Sequence, residues 1–453
     1  MIDKVKFQRD FFNSNVTRDI SFRKKQLHIL FSLLKENEKQ LCKAIHDDFG
    51  KSEFETIATE LELIYKDIRK ALKQLSQWSR KEPVSTNLLN FPAHSYIQPE
   101  PLGVSLVIGA WNYPYQLSIA PAVAAIAAGC TVILKPSELP ARTSAIMAKL
   151  VSENFDPGFF HVVEGGVQKT TELLQQKFDK IFFTGSTHVG RIVYEAAAKH
   201  LTPVTLELGG KSPAFVTRGC NLKMTVKRLI WSKFLNSGQT CIAPDYVMVD
   251  NKIRDNFLEK CVEEIEKRSY GLENNNYVQI INERNFDRLA AMVDPEKVYY
   301  GGKMDKEKRI FGPTLLHNLS FENKVMEDEI FGPILPVIGY DDLDAAISKV
   351  NELPRPLSCY VFTNNKESEQ KVMQGISFGG GGVNEAVMHI TNPNLPFGGV
   401  GNSGTGKYHG EAGFREFSNY KAILNKPTWF ELNLKYAPLS KAKLRWIRRF
   451  FKF

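Results

Sequence analysis

The sequence predicts an α/β protein built on parallel sheet. Between residues 101 and 208, short β-rich runs alternate with segments of helical length, the signature of βαβ units. A second region of the same texture runs from about residue 211 to about 390. At 453 residues the chain exceeds what one compact core accommodates, so two or three domains are expected.

The elements follow in order. Residues 19–80 carry helical periodicity, with Leu27, Leu30, Phe31, Leu34, Leu41 and Ile45 on the apolar stripe and Gly50 as a stop. Residues 83–101 form a Pro- and Asn-containing connection. Strands are expected at 104–108, 131–134, 160–164, 180–184 and 204–208, with helices near 115–128, 142–154, 167–176 and 187–199. One stretch invites another reading: Leu117 to Leu134 runs 18 residues without a charge, near the threshold for a membrane span. Pro121 and Gly129 interrupt it, so a buried helix, turn and strand is the expectation.

Composition narrows the class. Hydrophobic residues make up 43% and charged residues 24%, which suits packed interiors and excludes disorder. The six cysteines (Cys42, Cys130, Cys220, Cys241, Cys261, Cys359) form no CxxC pair and have no clustered histidines. This pattern suits a reducing compartment and argues against a disulfide framework or a metal site. The N-terminal run MIDKVKFQRDFF lacks an apolar signal core, so a cytoplasmic location is expected. Six of the nine net positive charges fall in residues 441–453, so a nucleic-acid groove is not indicated.

Four segments carry potential chemistry. The GxGxxG dinucleotide fingerprint is absent. Residues 182–190, FFTGSTHVG, leave a strand and enter a helix; Gly185 would permit a sharp turn and the helix N-terminus would face a pyrophosphate. A plain Gly-Ser helix cap fits as well. Lys135 and Glu138 in LKPSE also follow a strand end, where open α/β sheets bind ligands, or they form an ordinary strand-to-helix loop. Cys241 ends the run Gly238-Gln239-Thr240-Cys241. It is a nucleophile if its neighbours or a bound cation favour the thiolate, and a small buried hydrophobe otherwise. Glu207, between leucines and before Gly209-Gly210-Lys211, is a general base if desolvated, or a surface acid paired with Lys211.

Taken together, Trp111-Asn112-Tyr113-Pro114, residues 134–138, residues 183–190, residues 206–211, residues 238–241, Glu329-Ile330-Phe331-Gly332-Pro333 and PFGGVG at 396–401 resemble the aldehyde dehydrogenase superfamily, in its order and spacing over roughly 19–425. The short N-terminus, the WNYP variant and the GKYHG run at 406–410 are similar to the class 3 or fatty-aldehyde branch. Bacterial members of that type include enzymes acting on long-chain and carotenoid-derived aldehydes.

The resemblance implies a Rossmann-like cofactor domain (1–82 and 101–208), an α/β catalytic domain (209–392), a small β oligomerisation arm (83–100 and 393–426) and a tail (427–453). It implies attack by Cys241 on the aldehyde carbonyl, an oxyanion hole from the Asn112 amide and the Cys241 backbone N–H, hydride transfer to nicotinamide, and thioester hydrolysis by water that Glu207 activates. Coenzyme A-acylating relatives generally lack that glutamate, so its presence favours a free acid product. A non-catalytic scaffold would have lost Asn112, Glu207, Cys241 or Glu329; all four are present. The cofactor assignments are Lys135 and Glu138 to the adenine ribose, Gly185, Ser186 and Gly190 to the pyrophosphate turn, and Glu329 and Phe331 to the nicotinamide side. Glu138 favours NAD over a 2′-phosphate, with NADP left open. Tyr113, Tyr115, His389, Phe397 and His409 either line an apolar substrate passage or pack in the core. No metal is expected, an apolar aldehyde is the substrate class, and a homodimer is implied.

The last thirteen residues form a basic amphipathic pattern. Lys441, Arg445, Arg448, Arg449 and Lys452 fall on one helical side, and Leu444, Trp446, Ile447, Phe450, Phe451 and Phe453 on the other, with Lys443 as an exception. Such a helix is too short to span a bilayer but suits an anionic membrane surface, here the inner face. Docking on protein is the alternative.

Overall fold

The computed structural model describes residues 2–450. Two compact units result, one holding residues up to 78 together with 101–418, the other residues 79–100 together with 419 onward.

Among the described residues the first unit contains two large sheets and a two-stranded ribbon, Met304–Asp305 with Ile310–Phe311. In the six-stranded sheet the spatial order is Gly404–Thr405, Val204–Glu207, Lys180–Thr184, Val104–Ile108, Thr131–Lys135, Phe160–Val162. Five strands run parallel, and Gly404–Thr405 closes one edge antiparallel. From Val104–Ile108 the chain builds outward on one side, then returns to place Lys180–Thr184 on the other. That reversal is the topological switch point, and ligands of open α/β sheets bind beyond the carboxyl ends of the strands there. Val104–Ile108, Thr131–Lys135 and Lys180–Thr184 are buried at every position, as strands covered on both faces must be.

The 18-residue uncharged stretch is a buried helix, Gln116–Ala128, a left-handed Gly129 at φ 94°, and the strand Thr131–Lys135. Among the described residues no helix is long and apolar enough to cross a membrane. The 19–80 region forms helices Ile20–Glu36 and Glu38–Phe49, the latter ended by Gly50 at φ 76°. Then come Glu53–Thr56, a π-helical turn Ile57–Leu61, and Glu62–Trp78. Sequence periodicity gave no separate signal for helix Ile2–Asn13. Tertiary partners hold it: Gln8 donates to the Val132 carbonyl at 2.8 Å and Arg9 pairs with Asp179 at 2.7 Å.

The seven-stranded sheet has the order Val298–Tyr300, Thr314–Leu316, Ile334–Tyr340, Tyr246–Asp250, Pro213–Val216, Ser358–Phe362, Gly380–Val383. It is parallel except for the first pair. Alternating residues serve two cores: Phe215, Met248, Ile338 and Val361 on one face, Ala214, Val216, Val247 and Tyr360 on the other. This is the period-2 pattern of a strand with both faces covered.

In the second unit, Glu82–Val84, His94–Pro101 and Ser418–Asn425 make a three-stranded sheet. The Pro- and Asn-containing connection is therefore partly strand. Residues 393–418, grouped with the arm on sequence grounds, lie in the first unit, because Gly404 pairs with Glu207 there. A helix, Lys441–Phe450, follows in the second unit, with Leu444 and Trp446 exposed. Phe451, Lys452 and Phe453 of the amphipathic pattern lie outside the described residues.

Candidate active site

The sheet order brings the sequence motifs to one edge. Asn112 follows Val104–Ile108, Lys135 ends Thr131–Lys135, Gly185 follows Lys180–Thr184, and Glu207 ends Val204–Glu207. These are the carboxyl ends of four neighbouring parallel strands.

Cys241 is carried by a tight turn. After helix Leu222–Phe234 the chain enters left-handed backbone at Asn236 (φ 53°), Ser237 (φ 52°) and Gly238 (φ 71°). A side chain at Gly238 would place Cβ 2.3 Å from the Gly332 carbonyl oxygen, so glycine is required sterically as well as conformationally. Two strained non-glycine residues persist because hydrogen bonds over-determine the turn. The Asn236 amide donates to the carbonyls of Asn112 (3.0 Å) and Gln239 (3.1 Å). The Gln239 amide donates to the carbonyls of Asn236 (3.1 Å) and Gln279 (3.0 Å) and accepts from the Ile281 N–H at 3.0 Å.

Asn112 is buried beside this turn and uses one N–H of its side chain on the Gln239 carbonyl at 3.1 Å. The Cys241 residue keeps partial exposure. Burial of its sulfur, then the negative fields of Glu329 and Glu207, push the thiol up to about 12. Tertiary neighbours therefore oppose the thiolate in the free protein. Of the two sources of activation considered from the sequence, a bound positive charge is the one that remains.

Glu207 is buried, and neither of its carboxylate oxygens has a hydrogen-bond partner. Desolvation, then the charge of Glu416, raises its pKa well above the usual carboxylate range, and Lys407 partly opposes the shift. It is not a surface acid beside Lys211. The Lys211 ammonium pairs with Asp245 at 2.6 Å and donates to the carbonyls of Val325 and Asp328.

The cofactor-side residues form a second group. The buried Lys135 ammonium meets the Glu138 carboxylate at 3.0 Å, and Glu138 remains 43% exposed. Ser186 caps helix Thr187–Ala198, its hydroxyl accepting from the Val189 N–H. Gly185 lies at a bend between strand and helix, without left-handed backbone. Its missing side chain makes room for the Phe183 ring, whose nearest atom would lie 2.5 Å from a Cβ. Gly190 likewise admits Leu208 at 2.7 Å. A positively polarised helix end, a buried cation and an accessible carboxylate at the switch point suit a dinucleotide's phosphates and ribose.

Glu329 lies against the chain after Glu207, with Oε2 1.9 Å from where a Cβ on Gly209 would stand. Burial, then Asp245, raises its carboxyl to about 8. Phe331 sits in left-handed backbone at φ 51°, its ring edge-on to Trp111 at 5.3 Å.

The aromatic candidates separate into two sets. Tyr115 is fully buried with its hydroxyl on the Leu41 carbonyl at 2.9 Å. It packs in the core and is not placed to line a passage. Tyr113 is buried beside the nucleophile turn, its hydroxyl 2.6 Å from that of Thr240. Phe397 is stacked between His389 and His409, at 6.1 Å and 5.4 Å. Burial holds both imidazoles neutral, His389 down to about 4 and His409 to about 3, the latter aided by His389 and Lys70. Tyr360 and Tyr408 flank this stack, and the Cys241 charge acts on both.

Sequence reasoning missed Lys51, Glu60, Asn236 and Gln239. Most of their partners are distant in the chain, so no local pattern marks them. The π-helical turn that carries Glu60 is likewise silent in the sequence.

Comparison with known proteins agrees with this geometry. The aldehyde dehydrogenase family model matches residues 9–423. The chain is 41% identical over 447 residues to the 4,4'-diaponeurosporen-aldehyde dehydrogenase of Staphylococcus aureus, covering 98% of this chain and 97% of that one. It is 44% identical over 427 residues to the dimeric NADP-preferring aldehyde dehydrogenase of Rattus norvegicus, covering 94% of each. Among solved structures, a substrate-bound state of Staphylococcus aureus AldH superposes with a TM-score of 0.97 at 40% identity over 100% of both chains. An NAD-dependent aldehyde dehydrogenase from Sinorhizobium meliloti gives a TM-score of 0.86 at 27% identity, covering 94% of this chain and 88% of that one. The chain belongs to the aldehyde dehydrogenase family and is an enzyme that oxidises aldehydes with NAD or NADP.

Proposed function

We propose that the enzyme converts an apolar aldehyde, of long-chain, aromatic or carotenoid-derived type, to the free acid through a thioester on Cys241. The observation that carries this reading is the buried, unpartnered carboxylate of Glu207, close enough to Cys241 to raise its thiol. A carboxylate kept dry and unbonded is a base in waiting, and no structural pairing accounts for it.

The steps follow from these side chains. Sulfur of Cys241, once its proton has passed to solvent, attacks the carbonyl carbon. The resulting alkoxide is held by the free N–H of the Asn112 amide and the Cys241 backbone N–H. Bound NAD(P) supplies the hydride acceptor that this carbon needs. Once the thioester exists, the Glu207 carboxylate takes a proton from water. The hydroxide adds to the thioester carbon, the C–S bond breaks as Glu207 returns that proton to sulfur, and the acid leaves. Lys135, Glu138, Gly185, Ser186, Gly190, Glu329 and Phe331 would hold the cofactor, and Glu138 disfavours a 2′-phosphate.

Apolar substrate preference is supported by the Phe397 stack, because both flanking histidines are uncharged at neutral pH. The rat relative is named dimeric, which supports a homodimer. The exposed Leu444 and Trp446 on the basic helix Lys441–Phe450 support reversible attachment to an anionic membrane surface.

Reduced cofactor followed at 340 nm across an aldehyde chain-length series, with and without coenzyme A, tests the reaction. Turnover without coenzyme A that rises with chain length is expected; turnover only with coenzyme A would replace hydrolysis by acyl transfer. Deleting residues 438–453 is expected to abolish sedimentation with anionic vesicles while leaving turnover of soluble aldehydes intact. Unchanged sedimentation would remove the membrane proposal.

A further inference from the structure

A wholly buried ion pair lies behind the nucleophile turn. Lys51 and Glu60 have no solvent exposure, and their charged atoms meet at 2.8 Å. Isolating two charges from water is costly before their attraction is counted, so such a pair calls for a purpose beyond stability. Its remaining hydrogen bonds all fall on one loop, while the Lys51 ammonium also lies 5.6 Å from the centre of the Phe49 ring and its charge acts on the Glu55 carboxyl. The second Glu60 oxygen accepts from the backbone N–H of Tyr115 at 2.8 Å and of Gln116 at 3.3 Å. These N–H groups open helix Gln116–Ala128, which has no side-chain cap of its own, and a carboxylate there also meets the positive end of the helix dipole. The Lys51 ammonium donates to the Asn112 carbonyl at 3.3 Å and lies 4.1 Å from the centre of the Tyr113 ring. Glu60 owes its position to the π-helical turn Ile57–Leu61, an irregularity found frequently at functional sites.

The pair thus grips the Asn112-Tyr113-Pro114-Tyr115 loop at both ends. The same Asn112 carbonyl also accepts from Asn236, which in turn holds the Gln239 carbonyl, the acceptor of the Asn112 side chain. We infer that Lys51 and Glu60 are positioning residues for the reaction: through the Asn112 loop they fix the oxyanion-holding amide against the Cys241 turn. This rests on the proposed role of Asn112. A loop displaced by as little as 1 Å costs about 10²-fold in rate at a site of this kind, without loss of cofactor binding.

The test is the rate of the first turnover of reduced cofactor at saturating aldehyde, measured with the Kd for NAD(P) by fluorescence. The variants are Lys51→Met, Asn112→Ala and their combination. Lys51→Met is expected to slow the first turnover about 10²-fold with Kd changed less than about twofold, and to add little to Asn112→Ala. A neutral companion, Lys51→Met with Glu60→Gln, leaves neither member of the pair as an unpaired charge; it is expected to fold and to show the same loss. First-turnover rates equal to wild type in the neutral pair, or losses that multiply in the Lys51/Asn112 combination, would overturn the inference. An unimpaired Asn112→Ala would instead remove the role assigned to Asn112.

Discussion

Two glutamates at the carboxyl-end edge of one sheet, one ending Val204–Glu207 and one just beyond Thr131–Lys135, behave in opposite ways. Glu207 is buried, unbonded and pushed above the carboxylate range, first by desolvation and then by Glu416. Glu138 is also pushed up by partial burial, but its own backbone N–H and the Lys135 ammonium overcome that and hold it below the range. Residue type and strand-end location are shared, so environment alone divides the roles. A carboxylate that stays ionised suits the recognition of hydroxyls; one whose affinity for a proton is raised by burial suits general-base work.

The largest effect expected from breaking this contrast is at Glu207. Glu207→Gln keeps the shape and removes the base, so steady-state turnover is expected to fall about 10²–10⁴-fold. One equivalent of reduced cofactor should still appear in the first turnover. The same change is expected to raise stability at alkaline pH. A carboxyl whose folded pKa lies above its unfolded value contributes stability that is full below the unfolded pKa and lost as pH rises through the folded one. Melting temperatures of the variant and wild type should therefore agree below the ordinary carboxylate range and diverge, with the variant higher, as pH rises through and above the raised Glu207 pKa.

A smaller effect is expected at Glu138. Glu138→Gln removes the charge that opposes a 2′-phosphate, and the ratio of kcat/KM for NADP to that for NAD is expected to rise about tenfold, or about 1.4 kcal/mol. The smallest is at Glu416, whose carboxylate pairs with Lys180 at 2.8 Å and accepts from Thr205. Its charge raises the Glu207 pKa. Glu416→Gln is expected to shift the acidic limb of the pH–turnover profile downward by under about one unit; an upward shift would assign that limb to another group.

The contrast also marks what the sequence made legible. The alternation of strands and helices from 101 to 208 was readable because parallel strands, buried on both faces, are nearly continuous apolar runs. The motif residues were readable because they sit where the backbone must turn, at or after strand ends for Asn112, Lys135, Gly185 and Glu207 and after a helix for Cys241, and glycine or proline punctuates the text there. The ionisation of Glu207 was not readable. Its alternative partner, Lys211, lies four residues away in sequence but reaches Asp245 in space. Nor was the ion pair of Lys51 with Glu60, since nothing local distinguishes a buried lysine from a solvated one in helical text. Gly185 shows a third limit: its place in the motif was visible, but its cause, the Phe183 ring, depends on a side-chain direction that only packing fixes.

The central claim is that Cys241 carries the acyl group and Glu207 releases it. The most direct test is mass spectrometry of Glu207→Gln mixed with NAD(P) and aldehyde, then quenched and digested. An acyl adduct on the peptide bearing Cys241, matched by one equivalent of reduced cofactor, is the predicted result. Reduced cofactor accumulating at the wild-type rate with no adduct, or an adduct on one of the other five cysteines, would contradict it.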